Sequence, residues 1–117
     1  MNRTVGRFVL ISVKSDADGF LDAYSKIRHH SGRSDWEAFG RAGTQFENQV
    51  FIIEFKHFSI KEGERLNVQE WNEPQPEDVK QVTEYANDIT RCYPEVTVHR
   101  HLLYTIGARA YRFFTLD

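Results

Sequence analysis

The stretch Val50-Phe51-Ile52-Ile53-Glu54-Phe55-Lys56-His57-Phe58 constrains the fold more than any other part of this chain. Successive side chains of a strand point to opposite faces. Phe51, Ile53 and Phe55 therefore share one face, and Val50, Ile52, Glu54 and Lys56 share the other. Both faces begin apolar, which places the strand in the middle of a sheet covered on both sides. Its polar end then poses a problem: a carboxylate and an ammonium stand roughly 7 Å apart on one face of a segment otherwise suited to burial.

The neighbouring segments read as elements of the same sheet. Residues 5 to 13 (VGRFVLISV) are β-branched and apolar and predict a strand. Asp16 or Asp18 can cap a helix whose apolar positions Phe20, Leu21, Tyr24 and Ile27 recur at helical spacing and which stops near Ser31-Gly32. Residues 34 to 42 and 49 to 58 predict two strands around a turn rich in Gly, Thr, Gln and Asn. The polar stretch 61 to 78 reads as a long loop with a short strand at Leu66 to Val68. A second helix follows Pro76, carries the stripe Val79, Val82, Ala86 and Ile89, and ends at Pro94; strands 96 to 106 and 110 to 116 close the chain around Gly107. The predicted order is β-α-β-β-α-β-β, an α/β sandwich with a central mixed sheet and two helices.

Composition bounds the function classes. With 117 residues, 40% hydrophobic and 14% aromatic, the chain has the content of one domain with one core. Lys and Arg number 15 against 17 Asp and Glu, a formal charge of −2, so no overall basic field draws it onto nucleic acid from a distance. Its basic candidates are scattered: Arg28, Arg33, Arg41, Lys61, Lys80, Arg100, Arg109 and Arg112. Cys92 is the single cysteine and can form no intrachain disulfide. No apolar run approaches the roughly 18 residues of a membrane span, and no signal-peptide pattern opens the sequence. The expectation is a cytoplasmic protein without a membrane partner.

A hairpin between 34 to 42 and 49 to 58 turning at Thr44-Gln45 keeps the sum of paired residue numbers at about 89, which brings Asp35 opposite Glu54. Two carboxylates then meet beside Lys56. Like charges so placed repel unless a cation lies between them, and a hard divalent ion with oxygen ligands is the usual resolution.

The order Ser34-Asp35-Trp36, then Ile53-Glu54-Phe55-Lys56, then Gln81-Val82-Thr83-Glu84-Tyr85 on the second helix resembles the PD-(D/E)XK nuclease superfamily, over residues 18 to 106. Within it, HSGRSDWEAF is similar to the loop and strand of archaeal-type Holliday junction resolvases, the Q-x-x-x-Y pattern to the RecB-like branch, and IEFK with QVTEYA to Shedu-type defence nucleases. The resemblance implies a restriction-endonuclease-like sandwich and a hydrolase that cleaves nucleic acid, DNA in the first instance, in DNA repair or phage defence. It implies that Asp35 and Glu54 ligate Mg²⁺ or Mn²⁺, that Lys56 orients or activates the attacking water, and that Gln81 and Tyr85 reach the same site from the helix. Ser34 stands where the family has Pro, and the first helix offers only Asp22 as an extra carboxylate. With no broad basic surface, such a nuclease is expected to work as a homodimer or within a larger assembly.

Other readings remain open on the sequence. Glu54 and Lys56 also fit a surface ion pair, worth roughly 0–1 kcal/mol. His99 with His101, and His29 with His30, lack metal-site spacing and fit a solvated strand face or hydrogen bonding at the core edge. Trp36, Trp71, Phe113 and Phe114 fit core or interface packing, with Trp71 also able to stack on an unpaired base if exposed. The alternatives to a nuclease are non-enzymatic: a degenerate nuclease-fold module for docking or inhibition, or a dimeric ferredoxin-like binding domain. The ferredoxin-like order needs strands at 5 to 13, 48 to 57, 64 to 70 and 95 to 105 and a helix at 33 to 42.

Overall fold

A computed structural model describes residues 20–29 and 32–116. In chain order the elements are β1 (Leu21–Ser25), β2 (Arg28–His29), β3 (Gly32–Arg33), β4 (Trp36–Gly40), β5 (Gln49–Phe58), α1 (Ile60–Arg65), a single 3₁₀ turn (Val68–Glu70), α2 (Pro76–Cys92), β6 (Thr97–Ile106) and β7 (Ala110–Thr115). They form an α/β fold with a mixed five-stranded sheet, ordered β1-β4-β5-β6-β7, and a separate two-stranded ladder of β2 and β3. The strand expected over 5 to 13 lies outside the described residues.

β5 is the central strand, antiparallel to β4 and parallel to β6 over its whole length. Both its faces are used. Val50 and Ile52 pack with Leu102, Tyr104 and Ile106 of β6 under Val82, Tyr85 and Ile89 of α2. Phe55 joins Trp36, Ala38 and Ala23 on the opposite face, with Phe51 and Ile53 beside them. Each such fully buried apolar side chain contributes roughly 1.5–3 kcal/mol. The parallel β5–β6 pairing needs a crossover, which α1, the 3₁₀ turn and α2 supply.

Helix α2 begins where the sequence predicts. Pro76 takes the first helical turn, where its missing N–H costs nothing, and Glu77 and Asp78 lie at the positive end of the helix dipole. Trp71, half-buried, donates from Nε1 to the Leu66 carbonyl and packs edge-on against Phe58 and Tyr104.

Three expectations are corrected. The helix predicted around Phe20, Leu21, Tyr24 and Ile27 is instead strand β1, whose five residues pair with β4 from Leu21↔Gly40 to Ser25↔Trp36. The ladder satisfies the free edge of β4, and Ala23 enters the core while Phe20 and Tyr24 stay exposed, so tertiary pairing overrides the 3.6-residue spacing. No strand forms at Leu66 to Val68; the stretch after Ser59 holds α1 and the 3₁₀ turn. Ser59 caps α1 by accepting from the Glu62 amide, and Gly63 inside it lies so close to Ile106 that a Cβ would approach the Ile106 side chain within 2.5 Å. The ferredoxin-like order fails for the same reasons: residues 36–40 are strand and 60–65 are helix.

Candidate functional site

β4 and β5 pair with Trp36↔Ile53, Glu37↔Ile52, Ala38↔Phe51 and Phe39↔Val50, the register expected from the sequence. One residue beyond this ladder Asp35 meets Glu54. The Asp35 amide donates to Glu54 Oε2 at 2.7 Å, and the Phe55 amide donates to Asp35 Oδ2 at 2.8 Å. Glu54 is mostly buried, and that burial, followed by the neighbouring Asp35 carboxylate, pushes its carboxyl up to about 8. Glu37 and Asp78 push the same way, and the Asp35 amide opposes them. Burial also raises Asp35, against the pull of the Phe55 amide and of Lys26, Arg33 and Lys56.

Lys56 extends from the same face of β5 and is about half exposed, with Nζ 3.4 Å from Asp78 Oδ1 in the first turn of α2. Asp78 Oδ2 in turn accepts from the Tyr104 hydroxyl at 2.7 Å, and that hydroxyl oxygen accepts from the Gln75 amide at 3.1 Å. Burial and the bond to Asp78 drive the Tyr104 phenol well above the usual tyrosine range. Glu54, Lys56, Glu77, Asp78, Gln81 and Tyr104 line a cleft of about 340 Å³ between α2 and the ends of β5 and β6. Gln81 is thus brought to Glu54 and Lys56, one helical turn beyond Asp78.

Tyr85 follows Gln81 by about one turn of α2. It is buried, and burial, then Glu54 and Asp35, raise its phenol against the opposing pull of the Arg33 amide. Its ring lies 5.5 Å from that of His29, and β3 runs so close above it that a Cβ at Gly32 would stand 3.0 Å from the tyrosine oxygen. Gly32, at φ 145°, permits that approach.

Sequence reasoning missed Glu37 and Asp78. Glu37 is 0% exposed, accepts from Ser34 Oγ at 2.5 Å and meets His29 Nε2 through its Oε2, while its Oε1 has no hydrogen-bond partner among the described residues. The signal was alternation: Glu37 shares a strand face with Asp35 and Phe39. For Asp78 it was helical spacing, since positions 78, 81, 82 and 85 fall on one stripe.

Other candidates are placed elsewhere. Asp22 pairs with Arg41 at 2.8 Å on the surface of β1. His99 stacks on Phe51 and His101 on Phe113, and Trp36 is buried in the core. Arg100 bonds Thr83 and the Leu116 carbonyl, while Arg112 bonds the Gln69 carbonyl and lies over Phe114.

Among the described residues no group of three or more His, Cys, Asp or Glu side chains has the geometry to hold a metal ion. A cation here would rest on Asp35 and Glu54 with water and substrate completing its shell. Magnesium suits such a site, because it keeps several waters and binds through one or two carboxylates. No helix among the described residues is long and apolar enough to cross a membrane. No family model, curated protein or solved structure matches the chain.

Proposed function

We propose that this chain is a divalent-metal-dependent nuclease that hydrolyses phosphodiester bonds of nucleic acid, DNA in the first instance, on a small restriction-endonuclease-like scaffold. The observation that carries the reading is the Asp35–Glu54 pair, two partly buried carboxylates interlocked through backbone amides, with Lys56 on the next residue of the same strand face. A neutral binding pocket has no need to bury two acids side by side against their mutual repulsion.

Asp35 Oδ1 and Glu54 Oε1 are left for a hard cation, Mg²⁺ or Mn²⁺. When bound, it would polarise a phosphoryl oxygen and make a water acidic enough to attack at neutral pH. Lys56 supplies a positive charge toward the phosphoryl oxygens as negative charge develops on them. Asp78, anchored by Tyr104, holds the Lys56 ammonium at the cleft, and Gln81 offers amide donors to the substrate from the facing helix. Tyr85 sets the depth of α2 against the acidic pair and carries β3 above it.

The test is calorimetric Mn²⁺ titration together with cleavage of a labelled oligonucleotide. Asp35→Ala and Glu54→Ala are expected to abolish both while retaining the far-ultraviolet spectrum of the fold; unchanged cleavage in both variants removes the pair from the mechanism. The ion pair between Lys56 and Asp78 supports a second reading, a nuclease-fold module that binds without cutting, because Asp78 already neutralises the ammonium. Metal binding with no cleavage of any nucleic acid selects it.

A further inference from the structure

The β2–β3 ladder holds a charge arrangement that the folded chain alone does not explain. It pairs Arg28 directly with Arg33 and His29 directly with Gly32. By strand alternation His29 and Gly32 turn inward, and both do meet Tyr85. The two arginines therefore turn outward together, and both are exposed. Like charges directly opposite on a ladder destabilise it. Among the described residues neither guanidinium has an ion-pair or hydrogen-bond partner.

This arginine pair sits at the acidic site. Arg33 is two residues from Asp35, and the Lys26 amide bonds the Asp35 carbonyl at 2.9 Å. Lys26, exposed at φ 57°, and Arg33 both act electrostatically on the Asp35 carboxylate, as does Lys56 from the other side. The ladder is also fixed in place. His29 is tied to Glu37, Ser34 donates to the same carboxylate and its amide bonds the Ile27 carbonyl, and His29 and Gly32 pack on the Tyr85 ring. A rigid, outward-facing pair of guanidinium forks beside two carboxylates suits bidentate capture of phosphate oxygens.

We propose that Arg28 and Arg33, supported by Lys26, form a phosphate clamp that grips the backbone of a nucleic acid strand flanking the Asp35–Glu54 site. The inference deepens the nuclease reading by naming the element that holds the substrate. In a chain of net charge −2, this local cationic cluster supplies the attraction that the whole surface does not. Phosphate contact carries no sequence information, so the clamp binds without base preference.

The test separates binding from cutting. The 117-residue chain carrying Asp35→Asn and Glu54→Gln loses both the repelling charges and the proposed cleavage, and its affinity for labelled single-stranded and duplex oligonucleotides is read by anisotropy across about 50–300 mM salt. Adding Arg28→Ala or Arg33→Ala is expected to weaken binding severalfold at low salt and to reduce the salt slope by about 0.7–0.9 each. Both together reduce the slope by nearly twice that. Arg91→Ala, an exposed arginine at the other end of α2, should leave the slope unchanged. The double arginine variant should also be as stable as its parent or more so, since it relieves the Arg28–Arg33 repulsion. Binding within twofold of the parent with an unchanged slope overturns the clamp. So does no binding to either oligonucleotide, or tighter binding to anionic lipid vesicles or to polyglutamate. Binding that depends on both arginines, in a chain whose unsubstituted form never cleaves, leaves the clamp standing and removes the nuclease reading.

Discussion

Asp35 and Glu54 hold each other through the main chain: the Asp35 amide binds the Glu54 carboxylate, and the amide following Glu54 binds the Asp35 carboxylate. Two acids whose backbones are cross-braced cannot swing apart to relieve their repulsion, so one keeps its proton. Glu54 carries it, with its carboxyl raised to about 8. Below about pH 4.5 folded and unfolded chains are both protonated there. As pH rises toward 8 the unfolded chain releases the proton and the folded chain keeps it, so stability falls across that window. With the cleft partly open to water, the loss is roughly 2–4 kcal/mol. Urea unfolding between those pH values should show it, and Glu54→Gln should flatten the dependence.

A cation entering between these carboxylates displaces the Glu54 proton. Mn²⁺ binding near pH 7 is therefore expected to release about one proton, read as a dependence of the calorimetric heat on the ionisation heat of the buffer. Asp35→Asn keeps an oxygen for the Phe55 amide and should fold with little loss. Asp35→Ala leaves that amide without its acceptor and should cost roughly 1–3 kcal/mol.

Lys56 offers a different signature. It is about half exposed and its pair with Asp78 contributes little to stability, roughly 0–1 kcal/mol. Lys56→Ala should therefore unfold at nearly the parental urea concentration and bind Mn²⁺ as tightly or slightly more so, yet lose about 10²–10³-fold in cleavage rate. Lys56→Arg should rescue poorly, because the planar fork cannot occupy the place of a compact ammonium beside Asp78. Equal, small effects on cleavage and metal affinity would sink the assignment.

The sequence made the centre of this molecule legible and its margins less so. Two-sided apolarity placed β5 in the middle of the sheet, and a turn around Thr44-Gln45 set the register that brings Asp35 to Glu54, because both depend on local alternation. Strand β1 was hidden, since Phe20, Leu21, Tyr24 and Ile27 satisfy a helical period and only the open edge of β4 selects the strand. Helix α1 was signalled by Ser59 and Glu62, a capping pattern three residues apart that the polarity of the surrounding stretch obscured. The burial of Glu37 was not legible, because it depends on His29 folding back from a separate ladder.

Gly40, at the end of β4, controls whether that register survives. A Cβ there would stand 1.6 Å from the carbonyl oxygen of Phe46, which is backbone and cannot step aside. Gly40→Ala must move the 41–48 connection and with it the start of β5. The expected cost is at least about 3 kcal/mol in urea unfolding, accompanied by loss of Mn²⁺ binding from a site whose own residues are untouched.

Glu37 and His29 test whether the acidic centre is held together from below. Glu37 is fully buried, and its Oε2 receives both Ser34 and His29. His29→Ala would leave that carboxylate with the serine alone, in the neighbourhood of Glu54, which Glu37 pushes upward. The expected outcome is a loss of roughly 1–3 kcal/mol, the order seen when a buried polar group loses a hydrogen-bond partner. Glu37→Gln in the same chain takes away the stranded charge and should recover part of that loss, which the single variants cannot show. A double-mutant cycle of His29→Ala and Glu37→Gln measures the coupling directly. A coupling below about 0.5 kcal/mol would mean that the two side chains do not act as a pair, and that β2 and β3 are held over Tyr85 by packing and the Ser34 hydrogen bonds.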